Sequence, residues 1–254
     1  MDGKSVRGSR RGTTPAAHLL AAMTDTGMTV TQLRAPQKTN EITCFAALLD
    51  PFDLAGVTVT GDALHTQRGH ARFLVETKKA HYAFTVKRNQ KNLHGQMRSL
   101  PWPQTTAKYY DRTEGHGRKE TRVVQVLTAT GLGIDFPHAA QVVRHRTDTR
   151  TGRQSRETVY VVTDLTSRQA SPERLATILR AHWVIENRLH FVRDTAFRED
   201  ASKLRIGHGP ENMATLRSFA LNRLRAVGHA NVAAGLRTTA VRPYERPLAL
   251  LGLN

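Results

Sequence analysis

Two acids in this sequence stand where chemistry could be done. Asp62 follows residues 57–60, an alternating apolar and polar run that reads as a strand. Its carboxylate therefore sits at a strand's C-terminal mouth, the place where open α/β sheets bind ligands. Glu186 lies in a segment where Leu175, Ile178, Leu179, Ile185 and Leu189 recur at about 100° per residue and form one apolar stripe. His182 and Arg193 project to the same face, so the inward side of this helix changes from aliphatic to a His, Glu, Arg set. A charge buried there needs a partner or a metal. An ion pair between Glu186 and an arginine meets that need without a metal, and a strand-end Asp commonly caps a turn. His182, Glu186 and His190 share an i, i+4 row that suggests zinc, but the usual neighbouring ligands and paired cysteines are lacking.

The elements around these acids follow an α/β order. Residues 18–24 and 28–33 read as two short strands about Asp25-Thr26-Gly27, a hairpin. Asn40 can cap a helix that opens on Glu41, carries Ile42, Phe45, Leu48 and Leu49 at helical spacing, and ends near Pro51. Residues 66–79 read as a helix, and Tyr82, Phe84 and Val86 mark a strand leading into Lys87-Arg88-Asn89-Gln90. Residues 101–156 change character, with prolines, strands at 122–127 and 141–145, and a basic link at 146–156; they read as a β-rich insertion. Strand-like sequence returns at 158–165. Ser171-Pro172-Glu173 supplies a cap, a first-turn proline and a first-turn acid, which predicts one long helix running through Glu186 to Arg193. A helical pattern resumes beyond Pro210 and runs to about Val227.

Charge points to the partner. Lys and Arg number 38 against 21 Asp and Glu, a net +17, and the excess is spread over residues 4–11, 78–91, 144–156 and 217–225. A broad basic surface of this kind fits nucleic acid. Lys87, Asn89 and Gln90 could hold the backbone or a base, or simply form a solvated loop, and Trp102 and Trp183 could stack on bases or lie in the core. The single cysteine, Cys44, excludes an intrachain disulfide framework and a zinc ribbon. No apolar run approaches the roughly 20 residues of a membrane helix, so the expectation is a cytoplasmic protein associated with the nucleoid and not with a membrane.

Three blocks resemble the DDE transposases of bacterial insertion sequences, in their ISAs-type branch: DGKSVRGS from Asp2, VTGDALHTQ from Val59 and HWVIENRLH from His182. Weaker support comes, in the same order along the chain, from VKRNQ at Val86, FRED at Phe197 and residues 212–222. The resemblance covers nearly the whole chain. It implies an RNase H-like mixed sheet flanked by helices, with a β-rich insertion before the helix that carries the catalytic Glu. It also implies Asp2, Asp62 and Glu186 as catalytic, metal-binding carboxylates, and an activity that cleaves and joins DNA strands. Such acids suit Mg²⁺, a hard cation that prefers oxygen ligands, in a two-ion site where Mn²⁺ can substitute. The implied partners are double-stranded DNA, both element ends and target, and a second copy of the chain on that DNA. In related transposases a basic residue seven positions after the glutamate contacts phosphate; Arg193 has that spacing, and His182 stands where an arginine is common.

The start of the chain raises a competing expectation. The first acid of the family belongs on the first strand of the sheet, yet only Met1 precedes Asp2. On that ground residues 1–254 read as an N-terminally truncated catalytic domain, with Asp2 held by a mobile terminus. The alternative function is then a catalytically inactive, DNA-binding remnant of a transposase.

Overall fold

A computed structural model describes residues 1–36, 41–115, 117–151 and 153–253. In chain order the strands and helices are β1 (Asp2–Ser5), β2 (His18–Met23), β3 (Thr29–Ala35), α1 (Glu41–Leu49), β4 (Thr58–Gly61), α2 (Arg68–Arg72), β5 (His81–Val86), α3 (Lys91–Arg98), β6 (Lys108–Gly115), β7 (Arg118–Thr128), β8 (Gln141–Thr151), β9 (Arg153–Thr163), α4 (Pro172–His182), α5 (Phe191–Thr195), α6 (Gly209–Ala226), α7 (Val232–Ala240) and α8 (Arg246–Leu251). No helix among the described residues is long and apolar enough to cross a membrane. The chain divides into two compact units, residues 1–48 with 183–254, and residues 49–182.

The first unit is built on an antiparallel three-stranded sheet, β1-β2-β3, with Asp2 opposite Ala21 and His18 opposite Ala35. The hairpin expected about Asp25-Thr26-Gly27 is present: Gly27 adopts φ 95°, and the Thr24 hydroxyl accepts from the Met28 N–H at 3.0 Å. The Asn40 cap lies outside the described residues, and the helix expected after it is α1. One core packs Ala21 of β2 against Ile185, Leu189, Leu221, Leu224 and Val232. Asn222 of α6 ties that helix to β3, accepting from the Thr29 N–H at 2.9 Å and donating to the Thr29 carbonyl at 2.8 Å.

The second unit holds a six-stranded mixed sheet in the order β4-β5-β9-β8-β7-β6; β4 and β5 are parallel and the other neighbours antiparallel. Its main core joins Ala83, Val124, Val126, Val143 and Val161 of the sheet to Leu175, Ala176, Ile178 and Leu179 of α4. The Ser171 hydroxyl accepts from the Arg174 N–H at 3.2 Å, the cap expected there. The residues expected as a basic link at 146–156 instead continue β8 and β9 as paired strands. Their side chains are polar on both faces, so they carry no apolar alternation from which a strand could be read. Trp102 is buried and donates from Nε1 to the Met97 carbonyl at 2.7 Å, whereas Trp183 is exposed.

The long helix expected through residues 171–193 is interrupted. Helix α4 ends at His182, Trp183 is a turn residue, and Glu186–His190 form a π-type turn in which the Phe191 N–H bonds back to the Glu186 carbonyl. The single stripe is therefore shared between two cores: Leu175, Ile178 and Leu179 in the second unit, Ile185 and Leu189 in the first. Glu186 does not lie inside it and is exposed. The wider i→i+5 pairing of the turn breaks the 100° progression on which its burial was expected.

Among the described glycines, Gly8 has the least room for a Cβ. A Cβ there would stand 2.0 Å from the Ser202 carbonyl oxygen and 2.7 Å from that of Asp200, so main chain would have to move. Gly8→Ala should cost about 1–3 kcal/mol or more, read as a lowered urea midpoint in the purified chain; an unchanged midpoint would show that the two segments are not packed this closely.

Candidate metal centre

In the first unit, β1 carries Asp2 and Lys4 on one face and Gly3 and Ser5 on the other. The expectation that Asp2 hangs on a mobile terminus is not met. Met1 is buried, Asp2 pairs across to Ala21, and its side chain is 25% exposed. The reason is that β1 is closed by four register pairs with β2.

The π-type turn brings two side chains to Asp2. One oxygen or nitrogen from each of Asp2, Glu186 and His190 lies within 4.8 Å of the others, the arrangement of a set that can share a metal ion. Nε2 of His190 stands 3.3 Å from Oδ2 of Asp2, at ion-pair distance, but neither ring nitrogen makes a hydrogen bond among the described residues. Burial raises the Asp2 pKa; His190 beside it, the Gly3 N–H and the α-amino group outweigh burial and hold the carboxyl below its usual value. In the sequence His190 belongs to the zinc-like row and closes the HWVIENRLH block, without a role of its own. Its signal was the four-residue spacing from Glu186, which the π-type turn turns into a shared site.

The other face of β1 is occupied by a buried relay. Ser5 Oγ lies 2.9 Å from His18 Nδ1, and His18 Nε2 pairs with the Glu41 carboxylate. A Cβ at Gly3 would collide with that carboxylate, so a side chain there would have to displace it.

An ion cluster holds β1 against the helical segment. Glu199 has no exposed side-chain surface and accepts from Arg193 Nε at 2.8 Å; Arg193 Nη2 stands 2.7 Å and Arg217 Nη1 3.4 Å from the same oxygen. Its other oxygen accepts from Lys4 Nζ at 3.2 Å. Lys4 also meets Asp194 at 2.8 Å and Asp200 at 3.0 Å, so three cations face three acids. Burial alone would depress the Lys4 pKa; the three carboxylates reverse that and raise it. Arg193, expected to touch DNA phosphate, is wholly buried and neutralised by Glu199, and Glu199, in the FRED block, is equally buried. A periodic reading could not find this, because the partner sits six residues on in a separate turn beyond α5.

In the second unit, Asp62 ends β4 and its Oδ1 accepts from the Leu64 N–H at 3.0 Å, capping a 3₁₀ turn, Ala63–His65. Asn89 donates to the Ala63 carbonyl at 2.7 Å and Gln90 to the Thr66 carbonyl at 2.8 Å, so both amides shape the turn behind Asp62. Lys87 is exposed in the same loop. Nδ1 of His182 stands 3.2 Å from the Thr60 hydroxyl, on the strand that leads to Asp62.

Residues 1–223 match the family described as Transposase DDE domain. The chain belongs to that family. It is 32% identical over 242 residues to "Putative transposase YncI" of Escherichia coli O157:H7, a match that covers 89% of the chain and 61% of the relative. It is 29% identical over 240 residues to "H repeat-associated putative transposase YhhI" of Escherichia coli K12, covering 87% and 62% respectively. The chain thus spans about three-fifths of the length of these curated relatives. A solved structure, the cryo-EM synaptic complex of piggyBac transposase with hairpin DNA, is similar at a TM-score of 0.49 and 12% identity, over 99% of this chain and 50% of that one, a likeness too slight to carry an argument. DDE transposases generally use a divalent metal, and Asp2, Glu186 and His190 form an acidic set able to hold one.

Glu199→Gln would leave Lys4, Arg193 and Arg217 with less than their matching charge in a dry setting. The expected loss is about 3–5 kcal/mol of unfolding free energy, measured by urea denaturation. A loss below about 1 kcal/mol would show that the cluster is solvated.

Proposed function

We propose that this chain is the catalytic part of an insertion-sequence transposase that cleaves DNA and transfers strands, using Asp2, Asp62 and Glu186 as metal-binding carboxylates. Membership of the Transposase DDE domain family, together with the meeting of Asp2 and Glu186, carries the proposal. The residues fit a hard divalent ion: two carboxylates converge on one point beside a buried imidazole whose nitrogens have no hydrogen bond among the described residues. Asp62 is the third oxygen donor by its place in the VTGDALHTQ block. Mg²⁺, as two ions with Mn²⁺ able to replace them, would activate the attacking oxygen and stabilise the leaving oxygen of an in-line phosphodiester displacement. The family's RNase H-like arrangement, with residues 101–156 as a β-rich insertion, is part of the same reading.

The chain's own groups supply position and charge. Lys4 and Arg193, locked on Glu199, fix β1 and the segment after the π-type turn, and so hold Asp2 near Glu186. The turn capped by Asp62 and braced by Asn89 and Gln90 fixes that carboxylate in direction. The net +17 supports double-stranded DNA as partner, with Lys87, Arg144, Arg146, Arg150 and Arg156 at exposed or half-exposed positions to meet phosphate. A second copy on the DNA and a cytoplasmic, nucleoid-associated location belong to the same proposal. The alternative of an inactive remnant rested on a loosely held Asp2, and the pairing of β1 removes that support.

Asp62→Asn and Glu186→Gln should each lower Mg²⁺-dependent cleavage of DNA bearing the element ends by about 10³-fold or more, while leaving DNA affinity within about threefold. Cleavage that survives both substitutions would overturn the assignment.

A further inference from the structure

We propose that His190 is a nitrogen ligand of the divalent ion held by Asp2 and Glu186, which gives this site a preference for transition ions such as Mn²⁺ over Mg²⁺; the inference rests on the metal-site reading above. The ring is 4% exposed and its nitrogens have no hydrogen bond among the described residues. Buried polar groups are ordinarily hydrogen-bonded; here Nε2 has only the Asp2 carboxylate at ion-pair distance and Nδ1 has no hydrogen bond among the described residues, which an ion at the site would explain. The ring is held in place from both sides in sequence: Leu189 before it is fully buried in the core of the first unit, and Arg193 after it is locked on Glu199.

Nε2 stands 3.3 Å from Asp2 Oδ2, and neither ring nitrogen makes a hydrogen bond among the described residues. Adjacent ligands on an ion with bonds of about 2.1 Å stand about 3 Å apart, so this spacing is what two neighbouring ligands adopt. The ligand atoms of all three residues lie within 4.8 Å of one another, inside the reach of one coordination sphere. Glu186 and His190 open and close the same π-type turn, a backbone form frequent at functional sites. A mixed oxygen and nitrogen set is softer than carboxylates alone and favours transition ions over Mg²⁺.

The test titrates Mn²⁺ alone into the purified chain, following free Mn²⁺ by continuous-wave EPR and bound Mn²⁺ by pulsed EPR. The expected result is nitrogen modulation on the bound ion, lost in His190→Gln, together with Mn²⁺ affinity weaker by about tenfold or more and a narrowed preference over competing Mg²⁺. Bound Mn²⁺ that depends on Asp2 and Glu186 but shows no nitrogen modulation, or an affinity unchanged by His190→Gln, would overturn the role of His190 and leave the carboxylate site standing. Mn²⁺ binding that is absent, or indifferent to Asp2→Asn and Glu186→Gln, would overturn both. Should His190→Gln fail to fold, the unaltered chain with ¹⁵N-labelled histidine decides the matter, because the coupling must change with the label.

Discussion

The carboxylate of Glu199 organises the candidate site. It has no solvent contact, and an ion removed from water costs several kcal/mol unless its partners are in place. Those partners come from three separate segments: Lys4 from β1, Arg193 from α5 and Arg217 from α6. Lys4 is two residues from Asp2, and Arg193 three from His190. The electrostatic demand of one buried acid thereby sets where the strand and the helical segment meet, and the ligand residues follow.

Around that anchor the chain spends its polar groups on positioning. Burial pushes Asp2 toward its neutral form, and the groups beside it hold it charged, the state a metal ligand requires. On the other face of β1, the Ser5, His18 and Glu41 relay fills the space that a side chain at Gly3 would take. In the second unit the same principle acts on Asp62, whose turn is capped by its own carboxylate and braced by Asn89 and Gln90. Carboxylates whose supports are locked in this way would need little reorganisation to take up an ion as proposed.

Much of the frame was legible because it obeys simple periodicities. The hairpin of β2 and β3, the strand ending at Asp62, the strand through Tyr82 and Phe84 and the cap at Ser171 all follow from alternation, turn residues or capping chemistry. The polar ends of β8 and β9 did not, since strands with polar residues on both faces carry no apolar signal. Nor did the break at Trp183: Leu175 through Leu189 keep a helical spacing, and only tertiary packing divides them between two cores. The inward face of Arg193 followed from helical spacing, but its pairing with Glu199 did not, because the two meet only when the fold brings separate turns together. His190 was visible as a spacing and not as a site, since its meeting with Asp2 joins residues 188 positions apart.

Where a metal ion binds is measured most directly by anomalous diffraction from crystals of this chain grown with Mn²⁺. The expected result is an anomalous peak ligated by Asp2, Glu186 and His190, with Lys4 and Arg193 still closed on Glu199. A peak elsewhere with these three side chains apart, or an ion at Asp2 with the Glu199 cluster opened, would contradict it.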